Sequence, residues 1–181
     1  MVSDTAKVLM VGAGVATLLA LKSRTGLAGV PYQLPADQVF KIADQIRKRY
    51  YVGVSPLMLT AMAKIESAFR PGALRYETHL GDASIGLMQT LYRTARWLHD
   101  DLGYQAYQLA SSDDLMDPQT SVYFGGAYVD WLSTWRGVQR AEQWVVMSYN
   151  GGPNADNSQT RNHWAKYQAA KAQLAYLGGD W

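Results

Sequence analysis

Glu66 is the side chain of this sequence with the clearest potential for acid–base chemistry. A helix is predicted over residues 55–70, and spacings of three, four and three residues place Leu59, Met62, Glu66 and Phe69 on one face of it. The carboxyl group would therefore lie in an apolar stripe. Burial penalises the charged form of a carboxyl group and raises its pKa, so Glu66 could carry a proton near neutral pH and deliver it as a general acid.

The ends of this helix are marked by residues with strong local preferences. Ser55 suits the N-cap, Pro56 suits the first helical position, and Pro71 ends the helix. A simpler interpretation of Glu66 is an exposed ion pair with Arg70, four residues further on, which contributes only ~0.2 to 0.5 kcal/mol. The segments that follow Glu66 favour the first interpretation.

Four segments of distinctive composition follow Glu66 along the chain. They are Ser84-x-Gly86-Leu87-Met88-Gln89, Thr94-Ala95, Asp117-Pro118 and Tyr149-Asn150-Gly151-Gly152-Pro153. Together with the Glu-Ser-x-Phe sequence at 66–69, this ordered set resembles the soluble lytic transglycosylase family, whose relatives include goose-type lysozyme. The resemblance covers about residues 35–171 and implies a mainly α fold, a compact lysozyme-like helical domain.

The resemblance also implies roles for individual residues. Glu66 matches the catalytic acid of the family, and Tyr149 is expected to hydrogen-bond beside Glu66 and help to set its pKa. The residues expected to bind the glycan are Ser84, Gly86, Met88, Gln89, Tyr149 and Asn150. Thr160-Arg161-Asn162 resembles the start of the last family segment. Departures from the usual family residues occur at Ser121, Ser148, Gly151, Gln159 and His163, where the family has Asn, Ala, Ala, Glu and Tyr.

The reaction that this resemblance implies needs only one carboxyl group. A lytic transglycosylase cleaves the β-1,4 bond between the MurNAc and GlcNAc units of peptidoglycan, and the muramyl C6 hydroxyl serves as an intramolecular nucleophile, leaving a 1,6-anhydro product. Two alternatives stay open. A hydrolytic muramidase would use Glu77 or Asp82 to position water, and a non-catalytic peptidoglycan-binding or structural virion module would need no acid at all.

The composition narrows the range of functions. The chain has 181 residues, no cysteine and a formal net charge of +2. Its three histidines, His79, His99 and His163, are far apart in sequence and are interpreted as surface or packing residues. No metal or organic cofactor is predicted, and the small net charge gives no support for a nucleic-acid partner.

An uncharged run at residues 8–21 lies between Lys7 and Lys22. As a helix it would span ~21 Å, which is short for a lone membrane span, and we interpret it as an uncleaved anchor or a membrane-active segment. The predicted organisation is a hydrophobic N-terminal helix and linker over residues 1–30, followed by the lysozyme-like domain over 31–181. The expected location is the cell envelope, anchored on the periplasmic side, or a virion if the protein is phage-encoded.

The remaining elements are also predicted to be helical. Helices are expected over residues 36–51, 85–97, 117–135, 138–149 and 159–177, with a loop or small hairpin over 71–84. The helix that carries Glu66 is expected to run through the centre of the domain.

Overall fold

The computed structural model describes residues 32–51 and 53–178. The hydrophobic segment at 8–21 and the boundary near residue 30 lie outside the described residues, so both stay predictions. Within 32–51 and 53–178, no helix combines the length and the apolar character that crossing a membrane requires.

The described residues fold into six α-helices and one small antiparallel sheet, which confirms the mainly α prediction. The α-helices are α1 (Ala36–Tyr50), α2 (Pro56–Ser67), α3 (Tyr92–Asp100), α4 (Pro118–Ser133), α5 (Glu142–Gly151) and α6 (Ser158–Gln173). The strands β1 (Leu74–Glu77), β2 (Asp82–Ile85) and β3 (Thr90–Leu91) pair in the order β1-β2-β3. Short 3₁₀ helices cover Ser112–Met116, Trp135–Gly137 and Ala175–Leu177.

Helix α2 is central, as predicted, and packs against α1, α4 and α6. The Ser55 hydroxyl accepts a hydrogen bond from the Met58 N–H, and Pro56 opens the first turn. The helix ends at Ser67, and the two residues that follow, Ala68 and Phe69, have φ angles of 52° and 62°. Phe69 is therefore buried beyond the helix rather than in its apolar stripe, because two successive left-handed residues turn the chain away.

The predicted helix over residues 85–97 is wrong in its first half. Residues 85–91 form the end of β2, a turn and β3, and α3 begins only at Tyr92. Gly86 has a φ of +76° and Gln89 a φ of +48°, and neither angle is compatible with a right-handed helix. The other helices were predicted correctly in type, with ends that differ by a few residues.

The turn between β2 and β3 packs tightly against α4. The Met88 N–H donates to the Ser121 hydroxyl at 3.1 Å, and this bond fixes the backbone of the turn. Ser121 is one of the positions at which the sequence differs from the family that it resembles. Gly125 leaves room for the Met88 side chain, since a Cβ at position 125 would lie 2.6 Å from Met88 Cβ. The turn is thus held by a hydrogen bond and by close packing together.

Replacing Gly86 by alanine should destabilise the fold. A Cβ at this position would lie 1.9 Å from the Leu115 carbonyl oxygen, and the left-handed backbone adds strain. We expect the free energy of unfolding in urea to fall by about 3 kcal/mol. The matched control is Gly81→Ala, which has a similar φ of +61° but no atom within 4 Å, and should cost about 1 kcal/mol. Equal losses in the two variants would contradict the packing described here.

Candidate active site

An open cavity of about 500 Å³ lies between the end of α2, the β1–β2 hairpin, and the α5–α6 region. The predicted site residues that line it are Glu66, Ser84, Gln89, Tyr149 and Asn150. Gly86 and Met88 do not line it. Met88 is fully buried against α4, and Gly86 faces the Leu115 carbonyl, so their positions do not support a direct contact with a glycan.

Glu66 occupies the last turn of α2, and its side chain is only 9% exposed. Burial raises the pKa of its carboxyl group to about 7; the nearby Arg75 opposes this rise, and the negative charge of Glu77 adds to it. The alternative ion pair with Arg70 does not form. Arg70 Nε instead donates to the Ser67 carbonyl at 2.9 Å, because the chain reverses direction directly after the helix.

Tyr149 links the cavity to the turn between β2 and β3. Its hydroxyl donates to the Met88 carbonyl at 2.9 Å and lies 3.1 Å from Thr90 Oγ1. Among the described residues, these are its hydrogen-bond partners, so the predicted bond to the Glu66 region is not formed. Burial, together with the nearby Glu66 carboxyl, raises the pKa of Tyr149, which therefore stays protonated.

The Gln89 side chain supports the cavity wall from within the protein. Its Nε2 donates to the carbonyls of Ala73 and Gly86 at 3.1 and 3.0 Å, which ties the turn to the start of β1. Asn150 differs in that its Oδ1 is buried with no hydrogen-bond partner among the described residues. Asn150 is thus a predicted binding residue whose side-chain oxygen is unpaired but not exposed.

Glu77 is a second carboxyl group on the cavity wall. Burial alone would raise its pKa, but hydrogen bonds from Arg75 Nε at 2.7 Å and Ser84 Oγ at 2.9 Å hold the pKa below its ordinary value. Asp82 lies elsewhere. Asp82 is the first residue of β2, and its Oδ2 accepts from the Arg93 N–H in the first turn of α3, so the prediction that Asp82 positions water is not supported.

His163 was interpreted from sequence as a surface or packing residue, and that interpretation missed its position in the site. Its Nε2 lies 3.3 Å from Glu66 Oε1, and its side chain is 10% exposed. Burial, helped by the charges of Lys166 and Arg75, lowers the pKa of His163 to about 4. The signal in the sequence was its place in the last family segment, where a tyrosine is usual.

Aromatic rings extend from the cavity toward the surface. Tyr128 lines the cavity and lies 5.3 Å from Tyr149 between ring centroids, and it stacks on Trp131 at 5.9 Å. Trp131 contacts Trp97 edge to face at 5.0 Å. Trp97 and Trp131 are both half-buried.

The fold and the cavity together define a mainly α, lysozyme-like domain with one buried carboxyl group in an open cleft. The sequence matches the family model described as the transglycosylase SLT domain over residues 44–172. Because this match covers well over half of the chain, the protein belongs to the transglycosylase SLT domain family.

Solved structures of lytic transglycosylases share this fold. One is the 70 kDa soluble lytic transglycosylase of Escherichia coli, at 23% identity and a TM-score of 0.61 over 76% of this chain and 24% of that chain. Another is an inactive mutant of the lytic transglycosylase Slt from Pseudomonas aeruginosa, at 20% identity and a TM-score of 0.59 over 77% of this chain and 24% of that chain. This chain thus spans about a quarter of the length of either protein. A search of curated proteins finds no match.

The burial of Glu66 should make stability depend on pH. The folded protein keeps the Glu66 proton up to about pH 7, whereas the ordinary pKa of 4.5 applies after unfolding. Between these values the folded state binds more protons than the unfolded state, so the free energy of unfolding falls as the pH rises. Glu66→Gln lacks this titration. We expect the free energy of unfolding of the wild type to fall by about 3 kcal/mol relative to that of the variant as the pH rises over this range. Urea unfolding at several pH values measures this difference. If the free energy of unfolding depended on pH in the same way in the wild type and in Glu66→Gln, the burial of the Glu66 carboxyl group would be contradicted.

Proposed function

We propose that this protein is a peptidoglycan-cleaving lytic transglycosylase in which Glu66 acts first as the acid and then as the base. The observation that carries the proposal is a buried carboxyl group, protonated up to about pH 7, in the wall of an open cavity of about 500 Å³. A cavity of this size suits a small part of a glycan strand. Membership of the transglycosylase SLT domain family and the fold shared with lytic transglycosylases support the same reaction.

The proposed reaction proceeds by proton transfer at a single carboxyl group. Glu66 donates its proton to the glycosidic oxygen as the bond from that oxygen to the muramyl C1 breaks and positive charge develops on the ring. The muramyl C6 hydroxyl then forms a bond to C1, and its proton passes to the Glu66 carboxylate. The products are a 1,6-anhydro-muramyl end and a free 4-hydroxyl end, with no water consumed and Glu66 protonated again.

Other residues of the cavity are assigned to binding. Asn150 lines the cavity, and its buried Oδ1 has no partner among the described residues, so a rotation of the side chain that turned this oxygen into the cavity would let it accept a hydrogen bond from an N–H or O–H group of the sugar. The Tyr128 and Tyr149 rings, 5.3 Å apart, offer flat surfaces against which a sugar ring can pack. Ser84 and Gln89 complete this part of the wall.

A hydrolytic muramidase is the second candidate, and Glu77 is the observation that favours it. Glu66 and Glu77 line the same cavity, and their surroundings move their pKa values in opposite directions. A protonated acid beside an ionised carboxylate is the arrangement that a hydrolase uses to protonate one oxygen and activate water. The two reactions differ in their products.

The N-terminal segment forms a separate part of the proposal. Residues 8–21 would hold the domain at a membrane, supported by the absence of charge in this run and by the flanking Lys7 and Lys22. The corresponding location is the bacterial envelope, or a virion that acts on the wall. This part is independent of the chemistry of Glu66.

Digestion of purified peptidoglycan should release 1,6-anhydro-muropeptides. These products are one water lighter than the reducing-end species that a hydrolase releases, so mass spectrometry separates the two reactions. Glu66→Gln keeps the shape of the side chain but has no proton to donate, and we expect its rate to fall by a factor of at least ~10² to 10⁴. A variant that still cleaved at the wild-type rate would contradict the assignment of the acid, and a wild type that binds peptidoglycan without cleaving it would favour the binding module.

Glu77→Gln tests the hydrolase directly. A transglycosylase should keep its 1,6-anhydro products and a rate within about tenfold of the wild type, because no water is activated. Removal of the Glu77 charge should lower the pKa of Glu66 and move the alkaline limb of the pH–rate profile to lower pH. The matched control is Asp82→Asn, a carboxylate of the same hairpin outside the cavity. Reducing-end products that disappear only in Glu77→Gln would favour the hydrolase.

A further inference from the structure

His163 and Glu66 form a buried contact between two helices. His163 lies on α6 and Glu66 in the last turn of α2, and these helices pack against each other. The two side chains are only 10% and 9% exposed, and His163 Nε2 lies 3.3 Å from Glu66 Oε1. Nε2 has no hydrogen-bond partner among the described residues, so the approach to Glu66 is a close contact and not yet a hydrogen bond. A separation of 3.3 Å is long for a hydrogen bond, and such bonds often tighten when substrate binds.

Both groups are neutral over a broad range of pH. Burial lowers the pKa of His163 to about 4 and raises the pKa of Glu66 to about 7. The contact is therefore a pairing of a neutral imidazole with a carboxylic acid between these values. The titratable and charged groups that face the pair from neighbouring elements are Arg75 and Glu77 on β1, Tyr149 on α5 and Lys166 on α6.

A neutral imidazole carries one N–H, and its location determines which carboxyl oxygen holds the acidic proton. If Nε2 carries the hydrogen, it donates to Glu66 Oε1, and the proton of the acid stays on Oε2. If Nδ1 carries the hydrogen, Nε2 becomes an acceptor and draws the acidic proton onto Oε1, toward the histidine and away from a substrate. Only the first arrangement serves both steps, because the same N–H also stabilises the carboxylate that exists after proton transfer.

Resting on the proposed function of Glu66 as acid and base, we propose that His163 is a positioning residue whose Nε2–H donates to Glu66 Oε1 and directs the catalytic proton to Oε2. The histidine does not contact the reacting atoms in this arrangement. It restricts rotation of the carboxyl group and favours the carboxylate after the first step.

The tautomer of His163 can be measured in the wild-type full chain without any substitution. The sequence has three histidines, so imidazole ¹⁵N chemical shifts give few signals to assign. We expect His163 to be neutral at pH 6 with its hydrogen on Nε2. A hydrogen on Nδ1, or a charged ring at this pH, would overturn the proposal. This measurement depends on neither catalysis nor the folding of a variant.

The effect on Glu66 can be measured equally directly. The sequence has three glutamates, Glu66, Glu77 and Glu142, so ¹³C-glutamate labelling gives three carboxyl signals, and Glu66→Gln assigns one of them. His163→Phe removes the N–H donor, and we expect the pKa of Glu66 to rise by about one, a tenfold change in its ionisation constant. His163→Gln, whose Nε2 reaches a similar position, should restore the wild-type value. An unchanged or lowered pKa of Glu66 in His163→Phe would overturn the proposal.

Kinetics on peptidoglycan provide the functional test. We expect His163→Phe to lower kcat about tenfold with little change in KM and to move the alkaline limb of the pH–rate profile upward. His163→Gln should recover both. Equal losses in the two variants would indicate a packing role and overturn the proposal. If the wild type releases no 1,6-anhydro products, the proposed function fails, while the two NMR measurements still decide whether His163 orients Glu66.

Discussion

The proposed chemistry depends on burying one carboxyl group at the end of the central helix. Because α2 packs against three other helices, water reaches the last turn only where the cavity opens. A charged carboxylate in that position would be costly, whereas the protonated group is tolerated, so the fold itself raises the pKa of Glu66. The left-handed residues Ala68 and Phe69 end the helix abruptly and lead the chain into β1, which supplies another part of the cavity wall. The packing of α2 against its neighbours therefore also determines the protonation state of Glu66.

The turn between β2 and β3 is held from three directions, and this makes the cavity wall rigid. Ser121 on α4 accepts the Met88 N–H, Tyr149 on α5 donates to the Met88 carbonyl, and Gln89 bonds back to Ala73 before β1. Tyr149 and Gln89 thus line the cavity and also position the backbone behind it. Groups held by such bonds keep their geometry when substrate enters, and preorganised groups need little rearrangement during the reaction. Met88 contributes through its backbone, because its side chain is buried against Gly125 on α4 and does not reach the cavity.

The sequence could predict the features that depend on neighbouring residues or on family segments in a fixed order along the chain. Ser55 and Pro56 mark the start of α2 directly, and the spacing of apolar residues within that helix predicts the burial of Glu66. The family segments around Ser84 and Tyr149 can likewise be recognised from short runs of residues. The strand and turn over residues 85–91 could not be predicted in this way. The Gly86 backbone lies close to the Leu115 carbonyl, and Gln89 Nε2 donates to the Ala73 carbonyl. Both partners are distant in sequence, so the local spacing of residues does not reveal these contacts. The contact of His163 with Glu66 is likewise a product of helix packing, since α6 approaches α2 only in the folded chain.

The two carboxyl groups of the cavity differ because each has different partners. Glu66 is buried beside a neutral imidazole and keeps its proton, whereas Glu77 is surrounded by the donors of Arg75 and Ser84 and stays ionised. Glu77 Oε1 already accepts two hydrogen bonds, so the carboxylate is partly committed to holding the hairpin side chains in place. A base that activates water needs an oxygen free to accept the proton of that water. Both bonds end on Oε1, and Oε2 accepts no hydrogen bond from the described residues, so Glu77 keeps one oxygen that could serve water, and the two proposed reactions differ in whether that oxygen is used.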